Sequence, residues 1–129
     1  MATFIDPHSN CQIDKAVHAR LTHEAGAADS TELAWLRLEA AHVVGQPHLK
    51  LHWQTHAHML GLAWRTRDWP EGAGQMIRLA LVPVGHLSGR LPLGNPGRAT
   101  VNAFKPMPVR PELAVLIDRT HRLCVGRVK

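Results

Sequence analysis

One carboxylate and three imidazoles crowd a short stretch of the chain: Glu39-Ala-Ala-His42, then Gly45-Gln46-Pro47, then His48-Leu-Lys-Leu-His52. Neutral imidazole and carboxylate together suit zinc, iron or copper, whereas calcium and magnesium prefer all-oxygen shells. Residues three and four apart share a helix face, so Glu39/His42 and His48/His52 each form a pincer if both flanks are helical. Counted outward from the turn, His42 comes level with about His48, and Glu39 with about His52. An antiparallel hairpin would then gather all four around one transition-metal ion. They could close a structural site, or three could hold the ion while Glu39 acts as catalytic general base on a bound water. The Glu-x-x-His pattern also occurs in di-iron bundles, which need a second such motif. A homodimer could supply it, with Glu24, Glu32 or Glu71 as further ligands.

Ten histidines in 129 residues make some helical coincidences expected. His18, His23, His58, His86 and His121 read as incidental. His56 extends the row His48, His52, but stands a further turn from the bend.

The elements that must position these groups read as helices. A first helix is expected from Ser9 or Asn10 to Glu24, broken by Ala-Gly-Ala-Ala. A second opens at Asp29-Ser30, with Asp29 as cap and Glu32 completing a capping box, and runs to Gly45. A third runs from Pro47 or His48 to Arg65 or Arg67, with Leu49, Trp53, Leu60 and Trp64 as its apolar stripe. A fourth opens at Asp68-Trp69-Pro70-Glu71 and ends near Leu81. Asp29-x-x-Glu32-x-Ala34 matches Asp68-x-x-Glu71-x-Ala73, which suggests a repeated, tetratricopeptide-like hairpin. Residues 82–110, dense in proline and glycine, read as a long irregular loop, and Pro111-Glu112 opens a last helix. Gly94-Asn95-Pro96-Gly97-Arg98 reads as a tight turn, or as a lid whose Asn95 and Arg98 contact a small anionic ligand. It lacks the Gly-Lys-Ser/Thr of a phosphate-binding loop.

The expected architecture is a single all-α domain over residues 1–129, of four or five helices, with a core built from the middle of the chain, where the four tryptophans cluster. A formal charge of +5 raises nucleic acid as a partner, but the basic residues are scattered singly until the C-terminus, which argues against it. No apolar run is long enough to span a membrane, and the start lacks the pattern of a signal peptide, so a cytoplasmic location is the default expectation. Cys11 and Cys124, far apart and without CxxC spacing, are expected as free thiols, and the sequence offers neither of them a catalytic base.

The stretch Ala34-Trp-Leu-Arg-Leu-Glu-Ala-Ala-His-Val-Val-Gly-Gln46 resembles the bacterial DUF3703 family of unknown function. So do His48-x-x-x-His52-Trp53, Arg67-Asp68-Trp69, Gly74-Gln75, Gly94-Asn95-x-Gly97 and Ala103-Phe-Lys-Pro-Met-Pro108. The resemblance covers about residues 15–116, and Pro96 stands where the family pattern has threonine. It implies a small, mainly helical cytoplasmic protein and an association with metal-resistance gene clusters. It transfers no activity. Three uses of the chain remain: a metalloenzyme activating water or dioxygen, a metal-handling protein without turnover, or a helical interaction module without metal.

Overall fold

A computed structural model describes residues 7–127. Among the described residues five helices follow one another: α1 (Pro7–Gly26), α2 (Thr31–Gly45), α3 (Leu49–Arg65), α4 (Trp69–Ser88) and α5 (Pro111–Val125). The chain is an all-α bundle. Consecutive helices α1–α2, α2–α3 and α3–α4 pack on one another, and α5 returns to lie against α1 and α2. Among the described residues, no helix is long and apolar enough to cross a membrane.

Local chemistry explains the boundaries. Ser30, not the expected Asp29, caps α2: its side chain accepts from the Leu33 N–H at 3.2 Å. Asp68 caps α4 in the same way through the Glu71 N–H. Helix α4 continues well past Leu81, through Pro83, and stops at Gly89, whose φ of 70° is left-handed. A proline inside a helix forfeits one backbone bond but does not end the element when the rest of the face stays packed. The irregular segment is therefore shorter than expected and begins at residue 89.

Two apolar clusters hold the bundle. Ala25, Ala34, Trp35, Leu38, Met59, Leu62 and Ala63 join α1, α2 and α3, and Val17, Leu21, Ala40, Ala41 and Leu113 join α1, α2 and α5. Of the four tryptophans only Trp35 is buried; the middle of the chain contributes to the core instead through residues such as Leu38, Met59 and Leu62. Trp53 and Trp64 are exposed with Leu49, and the indole of Trp64 meets Trp69 edge-on at the surface. The buried face of α3 is instead Leu51, His52, Thr55, His56, Met59, Leu62 and Ala63. A helix that turns two imidazoles and a hydroxyl inward, and two indoles outward, has its inner face arranged for something other than hydrocarbon packing.

The segment between α4 and α5 is strapped down by polar contacts. Gln46 donates to the Pro92 carbonyl at 2.6 Å, Gln75 to the Gly97 carbonyl at 3.0 Å, and Arg78 to the Val101 carbonyl. Asn95, fully buried, folds the segment on itself: its amide donates to the carbonyls of Asn102 and Lys105, and its oxygen accepts from the Gly97 N–H.

Candidate metal centre

Three histidines converge where α2, α3, α4 and the strapped segment meet. His42 comes from α2, and His52 and His56 come from successive turns of α3. All three are at most 4 % exposed. Their Nε2 atoms form a near-equilateral triangle: His42 to His52 3.1 Å, His42 to His56 3.1 Å, His52 to His56 3.3 Å.

The outer nitrogens fix which atom carries each proton. His42 Nδ1–H donates to the Asn95 carbonyl at 2.7 Å, and His56 Nδ1–H to the Gln75 side-chain oxygen at 2.7 Å. The Gln75 amide is oriented in turn, because its nitrogen donates to Glu71 and to the Gly97 carbonyl. A neutral imidazole has one N–H, so the Nε2 atoms of His42 and His56 are bare lone pairs aimed at each other. His52 Nδ1 lies 3.1 Å from His86 Nε2, and a proton donated there frees the third lone pair as well. The imidazoles are held neutral. Burial, then the neighbouring His56 and His52, keeps His42 well below the ordinary 6.5. Burial brings His52 to about 3, with His56 and His86 adding to the effect. Burial brings His56 to about 4 against the raising effect of the Gln75 hydrogen bond.

Gly97 makes the close approach possible. A Cβ there would meet the His42 ring at 2.6–2.8 Å, and φ is +86°. Gly74 does the same between α4 and Ala99, where a Cβ would come within 2.3 Å of the alanine side chain. A cavity of about 40 Å³ opens beside the triangle, walled by Arg78, Leu81, Val82, Leu91, Pro92 and Phe104 among others. That is room for a water or a ligand of a few atoms.

The four residues singled out from sequence separate into two groups. His42 and His52 meet, and His56 completes their set. His48 stands outside, because it is the N-cap of α3 in an extended conformation and shares no helical face with His52. Its ring faces Asp14 at 2.9 Å and Cys11 at 4.0 Å. Glu39, three residues before His42, pairs instead with Arg98 at 3.2 Å and with Arg110. Its carboxylate thereby fastens the strapped segment and the start of α5 to α2. Asn95 and Arg98 sit in the segment as expected, but their side chains are engaged within the protein. Asn95 is spent on loop backbone, while Arg98 lies 3.7 Å above the Trp35 ring and pairs with Glu39 and Glu71. Glu24 and Glu71, weighed as further ligands, are also engaged, with Arg20 and Arg37 and with Arg98 respectively. The residues that sequence reasoning set aside are His56 and His86. The signal for His56 was present, since it continues the row begun at His48 and His52.

The chain matches the model of the family described as "Protein of unknown function (DUF3703)" over residues 11–117. No curated protein and no solved structure matches it.

Proposed function

The chain belongs to the DUF3703 family, and we propose that it binds one divalent transition-metal ion on the Nε2 atoms of His42, His52 and His56. One observation carries this reading. Two proton-free nitrogens face each other at 3.1 Å with a third at 3.1–3.3 Å, an arrangement that repels itself without a cation to share. Three nitrogens each about 2.0–2.1 Å from a tetrahedral ion stand about 3.3–3.4 Å apart, which the triangle already approximates. Gln75, the Asn95 carbonyl and His86 supply the outer hydrogen bonds that orient ligating imidazoles.

The geometry favours an exchange-competent ion over a sealed structural one. Three neutral imidazoles from His42, His52 and His56 would leave the full charge on an ion they held, and such an ion would supply Lewis-acid chemistry to a water or oxygen ligand. Glu39 serves here as a positioning group through Arg98 and Arg110, not as the general base. The chain is read as a small metalloprotein with Lewis-acid or dioxygen chemistry. Zinc, iron(II) and copper(II) all accept this donor set.

The test is metal content by mass spectrometry, together with the visible spectrum of the Co²⁺-loaded protein. Near-stoichiometric Co²⁺ with intense tetrahedral or five-coordinate bands, lost in His42→Ala and His56→Ala variants that stay helical, is the expected result. Protein that takes up no Zn²⁺, Co²⁺, Fe²⁺ or Cu²⁺ overturns the reading.

A further inference from the structure

The cavity beside the triangle also contains a buried cation belonging to the protein. Arg78, only 8 % exposed, lines it and comes from the inner face of α4. Its guanidinium gives hydrogen bonds to the Gly74 and Val101 carbonyls. A guanidinium has five N–H donors, so others remain for a guest. Glu71, the carboxylate that bears on this charge, offsets it only in part because it is divided among other partners. Glu71 is shared among the Gln75 amide, the Ala99 N–H and Arg98, and Glu39 among Arg98 and Arg110. A dication on three neutral imidazoles adds further positive charge in the same buried region. The rest of the wall is largely apolar, supplied by Leu81, Val82, Leu91, Pro92 and Phe104.

We propose, resting on the metal reading above, that the ion takes a small monoanion, held between it and the Arg78 guanidinium. The class is a carboxylate or oxyanion of a few heavy atoms, the size of formate, nitrite or hydrogen carbonate. A neutral molecule of the same shape gains neither the ion's charge nor the charge-assisted bond from Arg78, and the space of about 40 Å³ beside the triangle suits an anion of a few heavy atoms. Arg78 is thus a specificity-determining residue, and the anion is what makes a buried cation pair tolerable.

The experiment is a titration of the Co²⁺-loaded, full-length protein, followed by its visible bands, with sodium formate and with formamide. These ligands share a shape and differ in charge. Formate is expected to shift the bands saturably and to bind at least about tenfold more tightly than formamide, with azide and nitrite behaving like formate. An Arg78→Met variant is expected to hold Co²⁺ at least as tightly, since a like charge has gone, and to bind formate about tenfold more weakly. Equal response to formate and formamide in the unaltered protein overturns the proposal, whether or not the variant folds. So does unchanged formate affinity in Arg78→Met. Failure to bind Co²⁺ at all overturns the metal reading itself, which separates the two failures.

Discussion

Asn95 and His42 lie 53 residues apart in the chain, and a single hydrogen bond from the imidazole Nδ1–H to the Asn95 carbonyl joins them at 2.7 Å. Through it, the segment between α4 and α5 decides which nitrogen of His42 faces the triangle. The carbonyl is held in place by the side chain of the same residue, bonded to Asn102, Lys105 and Gly97. Asn95→Ala is therefore expected to lower metal affinity about 10–100-fold while leaving all three ligands present. It should also cost on the order of 2–4 kcal/mol, because the loop groups lose buried partners. Chelator competition and urea denaturation measure the two effects.

His56 and His48 make opposite predictions. His56→Ala removes a vertex of the triangle and is expected to weaken metal binding by more than about 100-fold, beyond the loss typical of an outer-shell partner. His48→Ala removes a half-exposed partner of Asp14 and is expected to leave metal affinity unchanged. Isothermal titration of both variants with Zn²⁺ checks the pair. Equal losses would mean that His48 contributes to the site as much as His56 does.

Gly97→Ala places a methyl group into the His42 ring and a side chain on a left-handed residue. The backbone strain alone costs about 1–3 kcal/mol, and the clash adds to it. The expected readout is a lower urea midpoint together with an altered Co²⁺ spectrum. Gly26→Ala, where a Cβ meets nothing within 4 Å, is the matched control and should show neither effect.

Acid should destabilise the metal-free protein by a traceable route. His18 is held at about 4 mainly by burial, and His52 and His56 at about 3 and about 4. Each takes up a proton near 6.5 in the unfolded chain but only near 3–4 in the folded one, so unfolding absorbs protons across that window. Stability is then complete above pH 6.5 and falls as pH drops toward 4, by up to about 1.4 kcal/mol per pH unit for each group. His18 lies apart from the triangle, against Thr55 at 2.7 Å, and His18→Gln should make the slope shallower by about one group's share. Urea midpoints measured from pH 4.5 to 8 test this. A flat profile would mean that these imidazoles are not buried neutral.

Much of this was legible in the residues, and what was not has identifiable causes. Helical periodicity and the Asp68 cap marked α2, α3 and the start of α4, and His42 and His52 stood out by spacing. The hairpin register did not. Symmetrical counting assumed that His48 begins the helix, whereas it caps α3 in an extended conformation, and the true helical pair is His52 with His56. The arginine partners of Glu39 come from Arg98 and Arg110, across a tertiary contact that no local pattern encodes. The apolar stripe of α3 misled for a similar reason. Large apolar residues at helical spacing signal a core face only when the opposite face has no better use for burial, and here the buried side carries the imidazoles.

That inward-facing row on α3 has a further consequence for the life of the protein. His52, Thr55 and His56 occupy positions where a domain of this size would ordinarily bury hydrocarbon. An ion seated among the imidazoles would then act as mortar for the fold as well as a reagent. At a hundredfold excess of free metal over Kd it would add about 2.7 kcal/mol to the folded state. A cell starved of the ion would hold a looser chain, opened more often to its proteases, so the amount of protein present would follow the supply of metal without any change in its synthesis.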